Sequence, residues 1–120
     1  MKDAYWFKHD ANARDDPKIV DMMMSRGKTS YADWWIMVEI MREQDGYQMP
    51  LSRETWSVLA KAMMYSREEA EAFVRECIDE YHLLDSDGEV FWSASLMRRM
   101  KHWDDTKTAL SDAGKKGADR

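Results

Sequence analysis

Apolar positions recur at helical spacing along most of the chain, and the interruptions between them are short. Asp15-Asp16-Pro17 sets up a helix start, with a carboxylate at the N-cap and proline at the first helical position. This predicts a helix to about Arg26, stopped by Gly27, with Ile19, Val20, Met23 and Met24 on its apolar face. Ser30 opens a second helix, in which Tyr31, Trp34, Trp35, Val38 and Met41 follow at steps of three and four until Asp45-Gly46. Ser52 caps a third helix to about Tyr65, with Trp56, Leu59, Ala60 and Met63 inward. Ser66-Arg67-Glu68-Glu69 is a capping box that starts a fourth helix at once, with Ala70, Phe73, Val74, Cys77, Ile78 and Tyr81 inward. Two helices joined this tightly turn sharply, as in a helix-turn-helix.

The strand signals are fewer. Tyr47–Leu51 is short and extended, and its Pro50 suits an edge or a strand end. Leu83-Leu84-Asp85 and Glu89-Val90-Phe91-Trp92 flank Ser86-Asp87-Gly88, a good hairpin signal. Ala4–Lys8 is a third candidate strand, rich in aromatics. Ser93 or Ser95 caps a last helix with Leu96, Met100, Trp103 and Leu110 on one face.

The expected fold is mainly α with a small β-sheet. It is a winged helix-turn-helix with an N-terminal strand-helix extension and a C-terminal helix. One domain spans 1–110: the extension at 1–28, the winged-helix core at 30–92 and the C-terminal helix at 93–110. A basic flexible tail follows at 111–120. A chain of 120 residues suits one domain with a real core. The 44% hydrophobic content, with six Trp and eleven Met, excludes the disordered class.

Cys77 is the one cysteine, so no internal disulfide forms and a reducing compartment is expected. The N-terminus lacks the apolar stretch of a signal peptide, and no apolar run approaches the roughly 20 residues of a membrane helix. The expected setting is the cytoplasm, with no membrane partner.

Motifs that carry chemistry are weak. His9-Asp10 hints at a metal-dependent phosphohydrolase, yet His82 and His102 are the only further histidines and show no ligand-like spacing. Cys77 falls on an inward helix face beside Glu76 and Asp79, which suits a buried structural thiol better than a nucleophile. Gly114-Lys115-Lys116-Gly117 lacks the flanking strand and helix of a phosphate loop. Met22-Met23-Met24 reads as core filling. No catalytic, cofactor-binding or metal-binding residue, no cofactor and no small-molecule substrate is expected. Trp34 and Trp35 cannot point the same way on a helix, so one is core and the other covers the N-terminal segment or a contact surface.

Charge is segregated. Residues 95–120 carry seven basic and four acidic side chains, a net of +3, and residues 1–94 carry −8. The fourth helix occupies the place of a recognition helix, but 67–82 holds two basic and six acidic side chains. Asp85, Asp87 and Glu89 add more negative charge in the hairpin. Such a surface repels phosphate and fits protein contact, with Glu68, Glu71, Arg75, Asp79 and Glu80 as candidate contact residues. Arg98, Arg99, Lys101, Lys107, Lys115 and Lys116 are candidates for DNA phosphates without base reading.

Several stretches together resemble one family. Tyr5-Trp6-Phe7 with His9-Asp10-Ala11-Asn12-Ala13-Arg14-Asp15-Asp16-Pro17-Lys18-Ile19 is similar to the opening of the N-terminal winged-helix domain of phage and prophage replisome-organiser (replication-initiation) proteins. Tyr31 to Glu43, with its paired Trp and Glu39, looks like that domain's next helix. Val90-Phe91-Trp92-Ser93, Ser95-Leu96 and Arg98-Arg99 resemble its wing and final helix, and Ser111–Gly117 resembles the linker that follows. The family is distantly like DnaD-type primosomal N-terminal domains, where the winged helix serves self-association. The resemblance implies a bacterial host cell, a place in DNA replication and no enzymatic activity. The chain ends where such proteins usually continue into a second domain.

Three functions follow as expectations. The first is a non-enzymatic replication-initiation module that assembles proteins, by partner binding or self-association, and touches DNA through its basic C-terminal helix and tail. The second is a stand-alone phage interaction protein or inhibitor acting through its acidic surface. The third is a sequence-specific DNA-binding regulator, against which the acidic fourth helix argues.

Overall fold

The computed structural model describes residues 15–102. Along them run α1 (Pro17–Arg26), α2 (Thr29–Arg42), β1 (Gln48–Pro50), α3 (Arg53–Met63), α4 (Arg67–Asp79), β2 (Asp85–Ser86) and β3 (Val90–Trp92). A last helix, α5, begins at 94 and continues through 102. The fold is mainly helical with a small antiparallel sheet, in the order β1-β3-β2. The expected segment at 4–8, Trp103, Leu110 and the tail at 111–120 lie outside the described residues.

Local sequence explains most boundaries. The Asp16 carboxylate accepts from the Lys18 amide and Pro17 fills the first helical position, which starts α1. Gly27, at φ 90°, ends it. Ser66 and Glu69 form the reciprocal capping box at the head of α4. Ser93 Oγ accepts from the Leu96 amide at 3.1 Å and caps α5. Pro50 closes an edge strand, so its missing N–H breaks no interior ladder. In the hairpin, Asp87 Oδ1 accepts from the amides of Glu89 and Val90 at 2.8 and 2.9 Å. Those bonds favour the ionised carboxylate and hold its pKa below the ordinary value.

The core lies between α2, α3, α4 and the inner face of the sheet. Phe73, Val74, Ala70 and Cys77 of α4 are fully enclosed, with Leu59, Met37, Met41 and Phe91. Trp56 stacks on Phe91 with ring centroids 6.3 Å apart. Met49 of β1 faces Phe91 of β3 in register. Leu96 and Met100 anchor α5 in the same core.

Five boundaries or faces differ from expectation. On α1, Ile19 and Met22 are buried while Val20 is half-exposed and Met24 exposed, because α1 packs on α2 at the margin and buries only a narrow stripe. The helix α2 starts at Thr29, and the Ser30 hydroxyl donates back to the Gly27 carbonyl rather than capping. It ends at Arg42, before the single turn Asp45–Tyr47, and buries Met37 as well, because α1, α3 and β1 all pack against it. The helix α3 ends at Met63, where Met64 turns left-handed at φ 61° and the chain reverses into α4. The first hairpin strand is only two residues, since Leu83 and Leu84 donate to the Cys77 carbonyl and seal the end of α4 instead.

Polar ties cross this packing. Arg26 of α1 pairs with Glu76 of α4, and its guanidinium lies 5.0 Å from the Phe73 ring centroid. Burial opposes the Arg26 charge, but Glu76 more than offsets it and the pKa is raised. The Tyr65 hydroxyl donates to buried Asp33, tying the α3–α4 joint to α2. Burial, then this hydrogen bond, pushes the Tyr65 phenol up to about 12. Among the described residues no helix is long and apolar enough to cross a membrane.

Candidate functional site: two arginine-lined grooves

Two grooves of about 430 Å³ each open on the described surface. The first lies where the N-terminus of α1, the middle of α2, the loop after α4 and the start of α5 meet. Lys18, Trp35, His82, Arg98 and Arg99 line it, with Asp16 and Asp85. The second lies at the heads of α3 and α4. Arg53, Trp56, Arg67 and Arg75 line it, with Glu68 and Glu71.

The fold assembles the first groove from distant segments. Lys18 is placed by the Asp16–Pro17 start of α1, and its side chain is exposed. Trp34 turns into the core, so Trp35 is left half-buried toward the groove, edge-on to Tyr31 at 6.4 Å. His82 reaches the rim because its backbone is left-handed, at φ 54°, beyond the end of α4. Buried Leu96 and Met100 fix the rotation of α5 and thereby turn Arg98 and Arg99 to this side. Among the described residues, the side chains of Lys18 and Arg98 make no ion pair and no hydrogen bond.

In the second groove two of the arginines are engaged by neighbouring side chains. Arg75 Nε donates to Glu71 at 2.9 Å, and the Arg75 guanidinium stands 6.0 Å from the Trp56 ring centroid. Arg67 Nη1 donates to Ser57 Oγ at 3.5 Å.

The sequence-predicted site residues fall as follows. Arg98 and Arg99 come together in the first groove, whereas Lys101 is exposed on α5 but does not line it. Lys107, Lys115, Lys116, His9 and Asp10 lie outside the described residues. Glu68, Glu71 and Arg75 share the second groove. Asp79 and Glu80 are exposed at the opposite end of α4. The outward acidic face is smaller than the sequence count implied, because Glu76 is bound to Arg26 and Glu71 to Arg75. Lys18, His82 and Arg53 were not among the expected site residues. No local signal marks them, since each acquires its role only when elements far apart in the chain are packed together. Cys77 is buried and free, and burial pushes its thiol well up, so it stays protonated at neutral pH. Among the described residues no three His, Cys, Asp or Glu side chains form a group able to hold a metal ion.

Residues 6–96 match the model of the Lin1244/Lin1753-like, N-terminal family. The chain belongs to that family. The matched span covers α1 to β3 and the start of α5, so all of the second groove lies within it. The Lin1244/Lin1753-like match stops short of Arg98 and Arg99, which complete the first groove. No curated protein and no solved structure matches the chain.

Proposed function

We propose that this Lin1244/Lin1753-like domain is a non-enzymatic winged-helix module of phage or prophage DNA-replication initiation. It assembles protein complexes through the outer acidic residues of α4 and contacts nucleic-acid phosphates, without reading bases, through α5. The element order from α2 and the sheet order β1-β3-β2, with β2–β3 as a short wing, support the winged-helix reading. The resemblance of Tyr5–Ile19, Tyr31–Glu43 and Val90–Arg99 to replisome-organiser domains supports the replication setting.

The observation that carries the reading is the separation of charge. Glu68, Asp79 and Glu80 stand exposed on α4, while Arg98 and Lys101 stand exposed on α5. A surface that meets phosphate is rich in Lys and Arg, and α4 is the reverse. The two faces therefore serve different partners.

Two measurements test this. Sedimentation of the full chain and of a Glu68→Lys, Asp79→Lys double variant is expected to show loss of an assembled species. Identical profiles would overturn the role of α4. Fluorescence anisotropy with labelled DNA across a salt series is expected to show affinity that falls steeply with salt and is independent of sequence. Absence of binding at low salt would overturn the nucleic-acid half. Charge reversal at Arg98 and Lys101 tests α5 better than truncation, because removing α5 also removes buried Leu96 and Met100.

A further inference from the structure

The first groove holds more than cations. Trp35 lies in its wall, together with Lys18, His82, Arg98 and Arg99. An aromatic ring beside a cationic track is the pairing that suits an unstacked base with its phosphate, because every base has a face to stack and the phosphate needs only charge. Duplex DNA offers the phosphates but keeps its bases stacked inside. The opposing carboxylates are Asp16 and Asp85, and the Asp16 carboxylate is already bonded to the Lys18 amide. Lys18 and Arg98 come from opposite ends of the described chain, so the track exists only in the folded domain.

We infer that the α1–α5 groove binds single-stranded nucleic acid, with phosphate at Lys18 and Arg98 and a base against Trp35. This rests on the proposed nucleic-acid contact and specifies its ligand. The groove prefers single strands to duplex, and stacking on Trp35 carries no base preference of its own, since every base has a face to stack.

The experiment uses the full chain, a labelled oligothymidylate and a duplex of equal length, by anisotropy across a salt series. The variants are Lys18→Ala, Lys18→Glu, Arg98→Ala, Arg98→Glu, Trp35→Phe and Trp35→Leu, each checked by circular dichroism. Lys18 and Arg98 are exposed, so their reversal leaves the fold intact. The wild type is expected to bind the oligothymidylate more tightly than the duplex. Lys18→Ala and Arg98→Ala are each expected to lower the salt slope by about 0.7, the value for one phosphate of a single strand. The charge reversals are expected to weaken binding further. Trp35→Leu is expected to weaken binding roughly tenfold, with Trp35→Phe retaining most of it. Single-strand binding that is unchanged in all variants would overturn the groove while leaving the broader nucleic-acid reading intact. Duplex bound as tightly as single strand, with Trp35→Leu silent, would overturn the base-stacking element. No binding to either probe at low salt would overturn both this inference and the nucleic-acid half of the proposed function.

Discussion

The two grooves are alike in cavity volume and in formal charge, yet their cations are held differently. Each presents three cations, two carboxylates and at least one tryptophan. At the heads of α3 and α4, Arg75 is held by Glu71 and by the Trp56 ring, and Arg67 reaches Ser57. Between α1 and α5, Lys18 and Arg98 extend from separate helices without a bond to the described residues. A count of charges cannot separate these two surfaces. What separates them is how far particular cations are engaged: Arg75 already directs Nε to Glu71 and its face to Trp56, whereas Lys18 and Arg98 have no such contact among the described residues, while Arg53 and Arg99 do not follow the division.

On the proposed reading the α1–α5 groove takes the nucleic acid, whereas the Arg75 contacts on the α3–α4 side are also structural, and mutations divide accordingly. The largest effect is expected beneath the α3–α4 side. Phe73→Ala empties the space under α4 and under the Arg26 guanidinium, and costs about 3–5 kcal/mol, much of the stability of a small domain. Urea denaturation measures it, and a loss below about 1 kcal/mol would show that the core closes over the gap.

The tie between α1 and α4 comes next. Arg26 and Glu76 are partly buried, so Arg26→Ala is expected to cost about 1–2 kcal/mol, between the values for exposed and enclosed pairs. A double-mutant cycle with Glu76→Ala should recover part of that loss, and simple additivity would mean that the pair is not coupled. Since α1 carries Lys18, this variant also tests whether the first groove needs α1 held in place.

A smaller contrast bears directly on the grooves themselves. Arg75→Ala is expected to cost about 0.5–1 kcal/mol through the lost Glu71 and Trp56 contacts. Arg98→Ala is expected to change stability by less than about 0.5 kcal/mol. Equal costs at the two positions would erase the distinction between committed and exposed arginines.

The subtlest effect lies in alkali. Burial and the bond to Asp33 raise the Tyr65 phenol from 10 to about 12 in the folded chain. The unfolded chain therefore loses this proton first as pH rises, and the stability Tyr65 contributes is complete below pH 10 and lost between pH 10 and about 12. Tyr65→Phe should flatten the stability profile in that interval, and an unchanged slope would remove Tyr65 as its source.

The parts of this fold that were legible in sequence are those specified by neighbours along the chain. Ser66 and Glu69 are three residues apart, and their mutual capping is written in one short motif. Pro50 at a strand end and Asp87 in the hairpin turn are equally local. The inward face of α4 was legible because α4 packs on one side, and its periodicity shows it. The misread face of α1 follows from the same logic in reverse, since Met22-Met23-Met24 offers three apolar residues in a row and periodicity alone cannot choose among them.

The site was less legible. Arg98 and Arg99 announced themselves by charge, but their groove partner Lys18 lies near the other end of the described chain. Glu76 reads as outward from helix α4 alone, and only Arg26, fifty residues earlier, shows otherwise. The sequence showed that one of Trp34 and Trp35 leaves the core but not which, and the surface that Trp35 joins is set by how α1 and α5 close around α2.

The most direct test of the distinction between the grooves is a heteronuclear NMR titration of the full chain with oligothymidylate. Shifts concentrated at Lys18, Trp35, His82 and residues 93–99, with Arg53 and residues 67–75 undisturbed, are the result this account predicts. Shifts centred on Arg53, Arg67 and Arg75, with the α1–α5 groove silent, would contradict it.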